Sequence, residues 1–100
     1  VMAQIACGMD GVISVAANAF PKPFSDMINY CMAGDFSMAK RLNDLMVEGY
    51  TYMYEENNPS GIKAFLFEQG VIENEFRLPL VPVSAGLQQK IHAYMQRYFA

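Results

Sequence analysis

The 100-residue sequence has no tryptophan, one histidine, two cysteines and few charged side chains, 17% in all. Two cysteines, Cys7 and Cys31, are too few to cross-link a small secreted domain, and we expect a cytoplasmic protein. The single histidine, His92, cannot build a metal centre unaided, and the sequence predicts neither a metal nor another cofactor. Seven basic residues against ten acidic ones give a net charge of −3. We therefore expect no nucleic-acid partner, since no basic surface is available for phosphates.

Long hydrophobic runs are also missing. The apolar opening, residues 1–21, is interrupted by Gln4, Asp10, Ser14 and Asn18, and no cationic segment precedes it. This pattern predicts neither a signal peptide nor a membrane span, and we expect no membrane partner. The sequence starts at an apolar Val1 without a polar lead-in, and our expectation is that it belongs to a longer chain.

Hydrophobic residues make up 53% of the sequence, enough to form a buried core. Their spacing predicts five helical segments, because apolar residues recur every three or four positions and turn residues separate the runs. The first predicted helix is Met2 to Cys7, stopped by Gly8, and the second is Pro21 to Gly34, with Phe24, Met27, Ile28 and Cys31 facing inward. The third is capped by Asp35 and has Ala39, Leu42, Met46, Tyr50 and Met53 facing inward. The fourth is opened by Asn58-Pro59 and stopped by Gly70, and the fifth is capped by Ser84 and has Leu87, Ile91, Met95 and Tyr98 facing inward.

Two segments do not fit a helix. Gly11 to Val15 is a short β-branched run with no polar face, which predicts a buried strand. A single strand needs hydrogen-bonding neighbours, and the remaining sequence offers no second convincing strand, so the neighbours must come from elsewhere. Residues 77–83 are apolar but contain Pro79 and Pro82, and we expect them to be extended along a groove.

A helix tail, a buried strand and four further helices form the order expected at the end of a (β/α)8 barrel, an α/β fold. A barrel needs about 250 residues, so this chain would hold only its C-terminal portion and be mostly α-helical itself. We predict that residues 1–33 are the end of the barrel, namely the tail of helix 7, strand 8 and helix 8. Residues 34–100 would form a C-terminal helical bundle.

Five motifs, in matching order and spacing, resemble the C-terminal third of the dihydrodipicolinate synthase family of Schiff-base pyruvate aldolases and lyases. They are Gly11 to Asn18 (GVISVAAN), the Gly34-Asp35 break, Arg41-Leu42-Asn43, Asn58-Pro59 with Lys63 four residues on, and Arg77 to Ser84 (RLPLVPVS). The resemblance covers nearly the whole chain.

The resemblance implies an enzyme that condenses pyruvate with aspartate semialdehyde in lysine biosynthesis and assembles as a homo-oligomer. In the family, a lysine on the sixth strand forms the imine and a tyrosine on an earlier strand relays protons. Both would lie upstream of Val1, so we assign no catalytic residue to this chain and expect it to be inactive alone. The resemblance places Ile13 on the wall of the pyruvate pocket, with Gly11 beside it leaving room for the backbone.

Other candidate residues have simpler interpretations. Lys63 is predicted to lie on a helix with its stem on apolar neighbours, which argues against a Schiff-base role. We expect His92 to be a hydrogen-bonded surface residue and Glu55 and Glu56 to form a solvated helix end. We expect the cysteines to be packing residues and the tyrosines to be core or interface residues. Two other functions stay open: a different pyruvate-dependent lyase such as N-acetylneuraminate lyase, or a stand-alone helical interaction module.

Overall fold

The computed structural model describes residues 1–99, which fold into five α-helices and one short 3₁₀ turn. The elements are α1 (Met2–Ala6), the 3₁₀ turn (Ala16–Asn18), α2 (Pro21–Met32), α3 (Phe36–Glu55), α4 (Ser60–Glu68) and α5 (Ala85–Phe99). Their contacts divide the chain into two compact units, Val1–Met46 and the residues from Val47 onward. Among the described helices, none combines the length and the apolar character that crossing a membrane requires.

Three helices end at the glycines that the sequence predicts. Gly8, Gly34 and Gly70 have φ angles of +109°, +82° and +75°, a backbone region that residues with a Cβ atom rarely adopt. After α2, the Gly34 N–H donates to the Cys31 carbonyl at 3.0 Å and the Asp35 N–H donates to the Tyr30 carbonyl at 2.8 Å. These bonds satisfy carbonyls that the end of a helix otherwise leaves unpaired.

Two of the predicted side-chain caps are confirmed and one is wrong. The Met38 N–H donates to Asp35 Oδ1, and the Leu87 N–H donates to Ser84 Oγ, both at 3.2 Å. The prediction that Asn58 caps α4 is wrong, because Pro59 is the cap residue and no side chain bonds there. The turn is closed by backbone instead, since the Gly61 N–H donates to the Asn57 carbonyl at 3.0 Å.

The predicted strand at Gly11 to Val15 is not a strand in this structure. Residues 9–14 have no regular structure, and none of residues 1–99 is in a β-strand. The segment ends in the 3₁₀ turn, where the Ala17 N–H donates to Ser14 Oγ at 3.2 Å. The physical reason is the absence of a partner: a strand exists only through hydrogen bonds to a neighbour, and the described residues supply none.

The core of the first unit forms on α2. Phe24, Met27 and Cys31, three of the four residues of the predicted stripe, are buried, and Ile28 is half-buried. The helix α1 and the 3₁₀ turn both pack on α2. Burial raises the pKa of the Cys31 thiol, which keeps it in the neutral form.

The core of the second unit forms around Tyr94 of α5, whose side chain is completely buried. Its ring meets those of Tyr52 and Phe65 edge-on, with centroids 6.0 and 6.1 Å apart. The Tyr98 ring lies 5.3 Å away at a tilt. Tyr98 itself, predicted to face inward, stays 45% exposed, so Tyr94 takes the central place on this face of α5. Burial raises the pKa of Tyr94 well above its ordinary value, and a hydrogen bond with the Gly49 backbone partly opposes that rise.

Two glycines allow the helices of the second unit to approach this closely. A Cβ atom at Gly49 of α3 would lie 2.9 Å from both the hydroxyl oxygen and a ring carbon of Tyr94. A Cβ atom at Gly61 of α4 would overlap the carbonyl oxygen of Met53 and lie 2.6 Å from its carbonyl carbon. The start of α4 is therefore in backbone contact with the last turns of α3.

The segment between α4 and α5 is held by three polar contacts. Ser60 Oγ donates to the Val81 carbonyl at 2.8 Å, and Lys63 Nζ donates to the Glu75 carbonyl at 2.8 Å. The Glu56 carboxylate accepts the Ser84 N–H at 2.8 Å and also the Ser84 hydroxyl, whose bond lowers the pKa of Glu56. The predicted extended path is wrong for residues 77–80, which form a turn closed by the Leu80 N–H donating to the Arg77 carbonyl at 3.0 Å, and residues 81–83 have no regular structure.

We predict that Gly61→Ala destabilises the second unit, because the added methyl meets backbone that cannot rotate away. The expected loss in the free energy of unfolding is about 2 kcal/mol or more, typical of an overpacked site. Urea titration of the helical circular dichroism signal, at one fixed protein concentration, measures it. Gly86→Ala is the control, since a Cβ there would meet only Ser84 Oγ at 4.0 Å. Equal stability of the two variants would contradict the close approach.

We also predict that the 100-residue chain self-associates in solution. Ile13 is completely exposed, and Val12, Val71 and Leu78 are 39%, 66% and 86% exposed. Exposed apolar side chains beside unpaired backbone drive association. Sedimentation velocity at micromolar concentrations should show species heavier than the 11.2 kDa monomer. Replacing Val12 and Ile13 together by Ser should shift the distribution towards monomer, whereas a sharp monomer boundary for the unmodified chain would refute the prediction.

Candidate functional site

Gly11, one of the two predicted pocket residues, lines an open cleft of about 360 Å³ in the first unit. Gly11, Val12 and Ser14 form one side. The other lining residues come from the 3₁₀ turn and α2: Ala17, Pro21, Phe24, Ser25, Ile28 and Asn29. The segment carrying Gly11 and residues 21–29 of α2 therefore face the same space.

Gly11 and Ile13 differ in their positions at this cleft. A Cβ atom at Gly11 would have no neighbour within 4 Å, so the space beside it is empty. The Ile13 side chain is completely exposed and does not line the cleft. The assignment of Ile13 and Gly11 to a pyruvate pocket stays a prediction.

The chemistry available at this cleft is limited to shape and neutral hydrogen bonds. Its polar side chains are Ser14, Ser25 and Asn29, and Ser14 already accepts a hydrogen bond from the Ala17 N–H. Among the described residues, no histidine, cysteine or carboxylate lines it. General acid–base or nucleophilic catalysis needs such a group within hydrogen-bond reach, so any reaction here would use groups from outside this cleft.

Lys63, for which the sequence argues against a Schiff-base role, has two contacts that hold its side chain in place. Its amine donates to the Glu75 carbonyl at 2.8 Å and lies 4.4 Å from the centroid of the Phe76 ring. The side chain therefore bridges α4 and the following loop.

His92 takes part in a hydrogen-bonded network between α4 and α5. Its Nδ1 lies 2.8 Å from Glu68 Oε2, and Gln88 Nε2 donates to Glu68 Oε1 at 2.7 Å. This confirms the hydrogen-bonded surface role. Within residues 1–99, no group of three or more His, Cys, Asp or Glu side chains is placed to hold a metal ion.

Of the remaining candidates, Glu55 and Glu56 have structural partners. Glu55 lies 3.7 Å from Lys90 Nζ, and Glu56 caps the start of α5 through Ser84. Cys31 is buried, as expected of a packing residue, whereas Cys7 is exposed, so the expectation that Cys7 packs is wrong; both are free thiols. Sequence reasoning missed a second cleft, beside Lys63 and Arg77, because its lining residues are up to 21 positions apart and only the fold brings them together.

Comparison with known proteins places these features in a family. Residues 1–98 match the sequence profile described as the dihydrodipicolinate synthetase family. The chain is 41% identical over 91 residues to the 4-hydroxy-tetrahydrodipicolinate synthase of Phocaeicola vulgatus, covering 91% of this chain and 31% of that protein. It is 42% identical over 90 residues to the same enzyme of Neisseria meningitidis serogroup C, covering 90% of this chain and 31% of that protein.

The fold agrees with a solved structure from the same family. The crystal structure of dihydrodipicolinate synthase from Aquifex aeolicus superposes with a TM-score of 0.91 at 31% identity. The match covers 97% of this chain and 33% of that one, so the chain spans about a third of the length of the relatives it matches. Because the family profile matches almost the whole sequence, the chain belongs to the dihydrodipicolinate synthetase family.

Proposed function

We propose that this chain is the C-terminal third of a 4-hydroxy-tetrahydrodipicolinate synthase, a lyase that condenses pyruvate with aspartate semialdehyde in lysine biosynthesis. One observation carries the proposal: the chain superposes over 97% of its length, with a TM-score of 0.91, on 33% of a dihydrodipicolinate synthase. The two relatives at 41% and 42% identity are both 4-hydroxy-tetrahydrodipicolinate synthases, which supports this synthase over N-acetylneuraminate lyase.

In the intact enzyme, the lysine that forms the imine with pyruvate and the proton-relaying tyrosine belong to the rest of the barrel. Residues 1–33 complete the (β/α)8 barrel, and residues 34–100 form its C-terminal helical domain. Gly11 to Val15 becomes strand 8 once strands on both sides pair with its backbone. The β-branched composition of this segment supports that role.

Gly11 and Ile13 form part of the pyruvate pocket in this proposal. Active sites of such barrels sit at the carboxyl ends of the strands, and strand 8 would end near Val15. The Ile13 backbone would form the wall, and the absent side chain of Gly11 would leave space for the neighbouring chain. The empty space around Gly11 is compatible with this role. Homo-oligomeric assembly of the parent is part of the same proposal.

The test is a chimera that joins this chain to the first two-thirds of the Phocaeicola vulgatus synthase. We expect the chimera to condense pyruvate with aspartate semialdehyde. Gly11→Val in the chimera should lower kcat/KM about tenfold, a loss of roughly 1.4 kcal/mol of transition-state stabilisation, because the new side chain crowds the pocket wall. The unfolding midpoint should change little. Gly86→Val, which adds the same side chain on α5, is the matched control and should keep full activity.

A second measurement checks where the nucleophile resides. The 100-residue chain alone, treated with pyruvate and borohydride, should gain no mass, whereas the chimera should gain one reduced pyruvate adduct on its upstream lysine. A stoichiometric adduct on Lys63 of the isolated chain would overturn the assignment. A folded chimera without activity would contradict the proposed function, and unchanged kinetics in Gly11→Val would remove the claim for the pocket wall.

A further inference from the structure

Some cationic side chains of this acidic chain form ion pairs with carboxylates and others do not. Within residues 1–99, four of them form ion pairs with carboxylates: Lys22 with Asp26, Lys40 with Asp44, Lys90 with Glu55, and Arg97 with Glu48. Arg41, Lys63 and Arg77 have no carboxylate partner among these residues. Arg41 contacts the Met38 sulfur at 3.7 Å on the exposed surface of α3.

Lys63 and Arg77 line the same cleft. The cleft has a volume of about 400 Å³ and lies in the second unit. Its other lining residues are Pro59, Glu75, Phe76 and Leu80. In a chain of net charge −3, two cations without carboxylate partners therefore converge on one concave site.

The Lys63 amine is held in place within this cleft. One of its N–H groups donates to the Glu75 carbonyl, and the Phe76 ring lies 4.4 Å from the nitrogen. An ammonium group has three donors, so two stay available to a ligand. The Arg77 guanidinium presents a planar fork of donors that matches a carboxylate group.

The lining also restricts the ligand. The lining residues carry two positive charges, from Lys63 and Arg77, and one negative charge, from Glu75, so their formal net charge is +1, which suits a monoanion better than a dianion. Pro59, Phe76 and Leu80 supply apolar surface next to the charged groups. Small-molecule sites commonly combine such apolar walls with a few placed polar groups.

We propose that the cleft formed by Lys63, Arg77, Pro59, Phe76 and Leu80 binds a small monocarboxylate with an apolar body, its carboxylate between the two cations. This binding site does not depend on the proposed enzymatic function, since every residue in it belongs to the second unit of this chain. The Arg77 fork provides most of the recognition, and Lys63 adds a second charge.

Saturation-transfer difference NMR on the 100-residue chain tests the proposal, because its signal comes from the ligand whether or not the chain associates. The probe is 4-methylpentanoate, with inorganic phosphate as competitor. We expect a saturable signal with a Kd on the order of 1 mM, typical of a small ligand that combines charged contacts at an open site with a small apolar surface. Phosphate should compete poorly.

Variants identify the site. Arg77→Gln should raise the Kd about fivefold or more, because it removes the bidentate contact. Arg41→Gln is the matched control, since it removes a cation without a carboxylate partner from outside the cleft, and its Kd should not change. Circular dichroism checks that both variants keep their helix content, which we expect because Arg77 is exposed and outside the helices.

Three results would overturn the proposal. The first is the absence of a saturable signal with 4-methylpentanoate. The second is an equal loss of affinity in Arg41→Gln and Arg77→Gln, which would indicate general charge attraction. The third is full competition by phosphate at the same concentration, which would indicate an unselective anion surface. Lys63→Met, which keeps the stem over Phe76, should also weaken binding if it retains its helix content.

Discussion

The second unit depends on the contact between Tyr94 and Gly49. The Tyr94 ring fills the space that a side chain at position 49 would occupy, and its hydroxyl bonds to the backbone there. This places a large ring at the centre of α3, α4 and α5, where Tyr52 and Phe65 meet it edge-on. Each such aromatic pair adds about 0.5–1.5 kcal/mol beyond the burial of its surface. The three helices therefore pack around one shared aromatic cluster.

A second close approach, between α3 and α4, helps to position the loop between α4 and α5. Gly61 brings the start of α4 against the Met53 backbone, and Ser60 beside it bonds to the Val81 carbonyl. Glu56 holds the other end of the loop through Ser84. The cleft between Lys63 and Arg77 exists because these tethers hold the loop against α4. Packing in the helical unit thus leads to a concave site lined by two cations without carboxylate partners among the described residues.

The local features of the fold could be predicted from sequence, because their causes lie within a few residues. Gly34 ends α2 through its own positive φ, and Ser84 caps α5 through a bond to a residue three positions away. The strand at Gly11 to Val15 was wrong for this chain because pairing is a non-local property. The central role of Tyr94 was missed for a similar reason: the spacing on α5 fits Tyr98 as well, and only the glycine on α3 selects Tyr94.

The difference between local and non-local causes also applies to the candidate sites. Family resemblance pointed to Gly11 and Ile13, but a sequence motif does not show which strands will pair with them. The chain spans about a third of its relatives, so the completing elements belong to the remaining length of those proteins. In the proposed enzyme, the first unit carries a segment that needs strand neighbours, whereas the core of the second unit forms among its own helices.

Amide hydrogen exchange tests this central claim most directly, by comparing the 100-residue chain with the chimera that supplies the rest of the barrel. In the isolated chain we expect the amides of α5 around Tyr94 to be protected and those of residues 12–15 to exchange at nearly the rate of an unstructured peptide. In the chimera residues 12–15 should become protected, because both neighbouring strands then bond to them. Protection of residues 12–15 in the isolated chain, or free exchange there in an active chimera, would contradict the account.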